Sequence, residues 1–405
     1  MGTRREDPLD WSAKQSRILT DNGKANQHYS EQNGYPFATS ELPHYHLRRG
    51  DSHSVFRSWA TSIDDGVTAR APFCTAAAAS TRILRCPIVG VWGRPLFAGR
   101  WESSTDQDET VYNIQTNGLF VDLRVPQSQP KIDAANTSRG ATTRQVLESL
   151  KDEELKLLAR QHVFAGYTLL TREESRTTRP IATRHHFVDW NYLPGKPRSR
   201  PNKWFVEVDD NNTNVWRETS YATDENGQSY YFERWERILP NDGGFRLAIR
   251  KRANPSGFDE ADGIIVALGD HFNYILDRQF TGNERTYPTA SSTVELVDEA
   301  LNNGDRGTAI AFLSLRGGHG TISSGWKIDC SVQPWLIGSN VFHCIDENID
   351  VIRVSGGDSN DSFGWSVFIG SSVWEVYECS LSSPEELETV LNNIQRYNEP
   401  RASRL

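Results

Sequence analysis

The chain has 405 residues and a formal net charge of -9, from 44 Lys and Arg against 53 Asp and Glu. That length allows two or three average domains, or one elaborate β-domain with an extension. With no basic stripe to meet a phosphate backbone, nucleic acid is excluded as a leading partner. The 17 Phe, 13 Tyr and 12 Trp against one Met favour strands and barrel interiors over helical bundles.

Residues 1–86 are polar, weakly periodic and scattered with Pro, Gly, Asn and Ser, and are predicted to form an irregular N-terminal extension. His44, His46 and His53 lie there without Cys or carboxylate at ligand spacing, so they read as loop histidines and no metal site is expected. Glu6 stands where a myristoylation motif needs Ser or Thr. Cys74, Cys86, Cys330, Cys344 and Cys379 are odd in number and far apart, the pattern of reduced thiols. No run approaches the ~18 apolar residues of a membrane span, and the first thirty residues lack a secretory apolar stretch. A soluble, intracellular chain is therefore expected, cytoplasmic unless the Ser/Arg/Ala-rich stretch from Ser52 to Arg85 acts as an organellar leader.

From Pro87 onward short β-like segments alternate with turn residues. Fourteen are predicted: Leu96–Glu102, Val111–Thr116, Leu119–Val125, His162–Thr171, Ile181–Trp190, Lys203–Asp209, Val215–Ala222, Ser229–Leu239, Phe245–Lys251, Gly263–Leu276, Thr308–Leu315, Trp326–Gln333, Val351–Val354 and Trp365–Cys379. Strands at this density must close or stack to hide their edges. The number exceeds what one ligand-holding barrel needs, which leaves one enlarged barrel or two smaller ones over residues 87–400.

Val111 to Pro126 reads as a hairpin with two unlike faces. Leu119, Val121, Leu123 and Val125 point one way; Phe120, Asp122 and Arg124 point the other, with Asn117-Gly118 expected to supply the positive φ angles of a tight turn. If the second face lines a barrel, Asp122, Arg124 and Gln115 sit where polar groups need each other or a ligand. Three helices are expected around this core: Thr142–Gln161, Thr293–Asn303 and Pro384–Tyr397, the last with Ser383 as N-cap and Glu386 completing a capping box. The apolar run Gly263–Gly269 is expected to be covered on both faces, at the middle of the core. Leu315–Gly320 lacks the Lys-Ser/Thr ending of a phosphate loop and is predicted to be a hairpin turn.

Two further segments carry candidate site residues. In Arg184–Trp190, simple alternation puts Arg184, His186, Val188 and Trp190 on one face and His185, Phe187 and Asp189 on the other. His186 or His185 would be a general base or a ligand to a metal or haem, oriented by Asp189 or Asp122, unless it is a hydrogen-bonded core histidine. In Tyr230–Arg237, one face carries Tyr231, Glu233, Trp235 and Arg237, with Glu233 as a proton acceptor and Trp235 as a platform for a flat ligand; cross-strand charge pairing is the alternative.

The blocks VYNIQTNGLFVDLRVP, LLARQHVFAGYTLL, HHFVDWNYLPG and YYFERWERI resemble successive blocks of a group of bacterial and algal calycin-like proteins. FRLAIRKR, DGIIVALGDHFNYILD and WEVYECS also resemble a fungal family of Hri-type proteins. The resemblance runs from about Val91 to Ser380 and implies a mainly β fold, a calycin/lipocalin-like antiparallel β-barrel with peripheral helices, enclosing a cavity; it implies no particular activity. The expected function is binding of a small, largely apolar molecule with a polar or acidic end, held by Gln115, Asp122, Arg124, His185, His186, Asp189, Trp190, Glu233 and Trp235. Arg124 would take an oxyanion and Asp122 would orient it. The alternatives are a cofactor-independent isomerase, cyclase or hydrolase with His186 or Glu233 as base and Arg124 stabilising developing charge, and a protein-interaction scaffold. No cofactor is expected, with haem or a pigment left open through His162, His185, His186, His271 or His343.

Overall fold

The computed structural model describes residues 88–99, 109–130, 142–171, 179–193, 202–209, 212–223, 226–238, 244–251, 261–278, 280, 284–346, 349, 351–356 and 364–392. The expected extension lies outside the described residues, with His44, His46, His53, Cys74 and Cys86. The fold is mainly β. Eight antiparallel strands close into a barrel in sequence order: β1 (Gly90–Gly99), β2 (Glu109–Gln115), β3 (Phe120–Pro126), β4 (His162–Thr171), β5 (Ile181–Asp189), β6 (Asn202–Asp209), β7 (Asn212–Ser220) and β8 (Tyr231–Arg237), with β8 returning to β1. Closure pairs every backbone edge, which is why an up-and-down order suffices.

A second eight-stranded antiparallel sheet follows: β9 (Arg246–Lys251), β10 (Gly263–Leu268), β11 (His271–Leu276), β12 (Arg316–Thr321), β13 (Lys327–Ser331), β14 (Arg353–Ser355), β15 (Ser366–Ile369) and β16 (Ser372–Cys379). Its spatial order is β13-β12-β11-β10-β9-β16-β15-β14. Among the described residues six α-helices accompany the sheets: α1 (Thr143–Ser149), α2 (Asp152–Ala159), α3 (Thr293–Asn302), α4 (Arg306–Leu313), α5 (Val341–Ile345) and α6 (Pro384–Asn392).

Side-chain alternation sorts the core into three layers. The outward face of β3 and β4 (Val121, Leu123, Val125, Val163, Ala165) packs with Ile264, Val266 and Ile275 of the second sheet and with α2, α3 and α4. The other face of that sheet, with Ile265, Ala267, Trp326, Trp374 and Leu387, forms a second cluster. The third lies inside the barrel and is built on Trp92, Trp204, Trp216 and Trp235. Central strand β10 is thus covered on both faces, as its unbroken apolar run requires. Where barrel meets sheet, Tyr112 lies flat on His319 at 3.8 Å, and Asn273 Nδ2 donates to the carbonyls of Tyr112 and Val121, both at 3.0 Å.

Several expectations need correction. Thr308–Leu315 lies mostly in helix α4: a short apolar run reads equally as strand or buried helix, and Asp305 caps it by accepting from the Thr308 amide at 3.3 Å. The Leu315–Gly320 stretch is no turn; its glycines form strand β12, where a Cβ on Gly320 would stand 1.9 Å from the Lys327 carbonyl oxygen. Gly269-Asp270 and Gly370-Ser371 each divide an expected long strand into a hairpin, with Gly269 and Gly370 at φ 61° and 58°. The expected helix over 142–161 breaks at Leu150, whose extended ψ of 153° ends α1 before Lys151 starts α2. Asn117 and Gly118 stay outside the left-handed region. Their turn is held from the second sheet, where the Glu378 carboxylate accepts from Asn117 Nδ2 at 2.9 Å and from the Gly118 amide at 3.0 Å.

Candidate functional site

The inward face of the barrel carries a chain of buried charges. Alternation along β3 brings Phe120, Asp122 and Arg124 inside, opposite Gln115, Asn113 and Val111 of β2. Arg124 Nε donates to Asp122 Oδ1 at 2.8 Å, and Arg184 Nη1, from β5, donates to Asp122 Oδ2 at 3.0 Å. Arg124 Nη1 stands 3.8 Å from Glu233 Oε1 of β8, which also accepts from Arg94 Nη1 at 2.6 Å; Arg94 in turn binds Glu109. The order Glu109, Arg94, Glu233, Arg124, Asp122, Arg184 alternates acid and base from end to end. Burial alone would raise the Asp122 carboxyl, but Arg124 and then Arg184 outweigh it and hold it at about 2.

Glu218 of β7 stands outside this pairing. It lies directly across from Glu233 in the β7/β8 register, is 5% exposed, and accepts from Tyr231 Oη at 2.8 Å. Burial, reinforced by the Glu233 charge, pushes its carboxyl up to about 8, so it is a neutral acid at pH 7.

A second group comes from a β-bulge. The β4/β5 register pairs Ala165 with Val188 but Gly166 with His186, leaving Phe187 as an extra residue. A Cβ on Gly166 would lie 1.8 Å from the His185 carbonyl oxygen, so glycine is what lets the strands approach there. The extra residue resets the alternation: Val188 and Trp190 turn outward into the inter-sheet cluster, while His186 and Asp189 meet, Nδ1 to Oδ2, at 2.7 Å. His162 Nε2 lies 3.6 Å from Asp189 Oδ1, and the Asn191 amide donates to that oxygen at 2.8 Å. Burial opposes ionisation of Asp189, but its contacts with His162 and His186 hold the carboxyl well below the usual range. Arg278 fixes this strand exit by donating to the Trp190 carbonyl at 2.7 Å and the Asp189 carbonyl at 3.1 Å.

The structure therefore brings Asp122, Arg124, His186, Asp189, Glu233 and Trp235 to the barrel interior, but not two other sequence candidates. His185 faces outward, stacked on Tyr167 at 4.7 Å, and burial lowers it to about 4. Trp190 is packed outside the barrel, its indole donating to the Ala159 carbonyl at 3.1 Å. Gln115 is held locally, accepting from Thr168 Oγ1 at 2.8 Å and donating to the Thr116 carbonyl at 2.7 Å. Missed in the sequence were Arg94, Glu109, Asn113, Arg184 as a charge partner, and Glu218. Only Glu218 had a readable signal, the Trp216/Glu218/Ser220 alternation of β7.

Several buried polar atoms facing the interior have no hydrogen-bond partner among the described residues: Arg184 Nε and Nη2, both polar atoms of Asn113, Glu233 Oε2, and the indole nitrogens of Trp204, Trp216 and Trp235. Arg184 is 4% exposed and flanked by the rings of Phe120 at 4.4 Å, Trp204 at 5.0 Å and Phe164 at 5.8 Å. Among the described residues, no three His, Cys, Asp or Glu side chains group as a metal site, and no helix is long and apolar enough to cross a membrane.

No protein-family model matches the chain, and no curated protein matches it. Among solved structures it is similar to the uncharacterized protein YLR301w from Saccharomyces cerevisiae, at 12% identity over 72% of this chain and 98% of the yeast chain, with a TM-score of 0.37. The barrel is defined by this chain's own strand order.

Proposed function

We propose that the chain binds a small, largely apolar molecule with a polar or acidic end inside the eight-stranded barrel. The observation that carries this reading is Arg184: two of its nitrogens, Nε and Nη2, face the interior without a partner among the described residues, between aromatic rings. Leaving such donors buried and unmet costs about 1–3 kcal/mol each, which a ligand oxyanion would recover. Arg184 suits this role better than Arg124, which is committed to Asp122 on one side and Glu233 on the other. The aromatic floor of Trp204, Trp216 and Trp235 would take the apolar body. The likeness of the sequence blocks to calycin-like proteins, whose barrels enclose cavities, supports the same reading.

The test uses 1-anilinonaphthalene-8-sulfonate, a fused aromatic body with one anionic end, alongside native and denatured masses of the freshly purified protein. Saturable fluorescence enhancement is expected, weakened about tenfold in Arg184→Lys, which keeps the charge beside Asp122 but loses the planar fork. Equal native and denatured masses together with no saturable binding would refute the reading. A second reading, acid–base catalysis in the same barrel, rests on the 2.7 Å contact between His186 and Asp189, which would hold the imidazole as a base. It predicts that His186→Gln keeps ligand affinity and loses turnover.

A further inference from the structure

We propose that the barrel's ligand carries a protonated amine, received by Glu218 and Glu233, so that the molecule it takes is amphoteric. The inference rests on the small-molecule reading above and names the chemistry at the other end of that molecule. Its first ground is charge order. Three buried acids and three buried guanidiniums alternate from Glu109 to Arg184. Glu218 is a further buried acid with no ion pair among the described residues. An oxyanion entering alone would find open donors on Arg184 but no guanidinium charge left unmatched by a carboxylate, whereas a cation meets an acid that has no ion pair among the described residues.

The second ground is an unmet acceptor. Glu233 is 1% exposed, spends Oε1 on Arg94, and leaves Oε2 without a partner among the described residues. Glu218 faces it across the β7/β8 pair, so two carboxylates converge on one spot of the inner wall. Trp216 and Trp235, two residues away on the same inward faces, stack at 5.4 Å and border that spot with aromatic surface, which favours cations. The groups that act on Glu218 are Glu233 and Tyr231 from β8, Arg184 from β5 and Arg124 from β3; the inward residues of β6, Trp204 and Val206, carry no charge.

The sign of the pH dependence separates the possibilities. Free, Glu218 holds its proton up to about pH 8. An ammonium would displace that proton, so affinity should rise with pH toward 8, by up to about tenfold per unit. A purely anionic ligand favours the protonated acid, and its affinity should fall as pH passes 8.

The experiment titrates the full chain with three molecules sharing one ring, phenylalanine, phenethylamine and 3-phenylpropanoate, following tryptophan fluorescence and calorimetric heat in buffers of different ionisation enthalpy. The proposal expects the two amines to bind more tightly from pH 6 to 8, each releasing about one proton at pH 7, and Glu218→Gln to abolish both effects. If 3-phenylpropanoate binds as tightly as phenylalanine and Glu218→Gln changes nothing, the amine site is overturned while small-molecule binding stands. If none of the three binds but 1-anilinonaphthalene-8-sulfonate does, the amine site is likewise overturned. If that probe fails too, both readings fall.

Discussion

Replacing Gly166 with Ala tests the bulge that assembles the His186–Asp189 pair. The new Cβ would stand 1.8 Å from the His185 carbonyl oxygen, against an ordinary contact of about 3.5 Å. The obstacle is backbone, so no rotamer change relieves it; β4 and β5 must separate, or the extra residue Phe187 must be forced back into regular register. Overpacking of this kind costs about 1–3 kcal/mol, and the upper end applies where backbone must move. Restoring the register would also turn Asp189 away from His186, losing a hydrogen bond to a charged group worth roughly 1.5–3 kcal/mol. The expected loss is therefore on the order of 4–6 kcal/mol in urea unfolding, together with changed NMR chemical shifts of the His186 ring. A variant with wild-type midpoint and unchanged His186 signals would refute the assignment of the bulge to Gly166.

Gly118→Ala is the matching control. Its Cβ would meet Tyr377 Cβ at an ordinary 3.4 Å and the backbone is outside the left-handed region, so stability should stay within about 0.5 kcal/mol; a loss near 1 kcal/mol would indicate a positive-φ turn. Asp122→Asn should cost about 3–5 kcal/mol in denaturant unfolding at pH 7, because Arg124 and Arg184 lose the anion between them. The Asp122 carboxyl is held at about 2, below its unfolded value, so its contribution is present above about pH 4 and fades as pH falls toward 2; that acid limb should be flattened in Asp122→Asn. Glu218 has the opposite sign. Its folded value of about 8 means the native state keeps a proton the unfolded chain releases above about pH 4, so stability declines by up to 1.4 kcal/mol per unit until about pH 8 and then levels. Glu218→Gln should therefore unfold at higher denaturant than wild type at pH 8.5, and an equal or lower midpoint would contradict the neutral-acid assignment.

The hairpin over 111–126 was legible because its two faces meet unlike surroundings, apolar sheet outside and charge inside, and each residue shows which it prefers. The inward face of β8 was legible for the same reason. The meeting of His186 with Asp189 was not. Alternation read along β5 alone separates them, and the shift that joins them is set by Gly166 on the neighbouring strand. The glycines of β12 misled in the opposite direction. Glycine signals a turn when read locally, yet here Gly318 and Gly320 make room for the Cys330 and Lys327 carbonyls across the ladder. Arg94 was invisible because it sits in the irregular stretch of β1, where the register shifts between Gly93 and Leu96 and no periodic pattern survives.

The alternating chain through the barrel also limits how this sequence can change over time. Each interior member serves two neighbours of opposite sign, so losing one leaves two others short, while losing an adjacent acid and base together leaves the remainder in step. A single replacement would cost a large part of the roughly 5–15 kcal/mol that keeps a domain folded, whereas a joint replacement by apolar residues can be close to neutral. The inner wall should therefore drift in couples such as Arg94 with Glu109, with strongly non-additive intermediates, and diverged versions of this barrel should differ inside by matched pairs of residues.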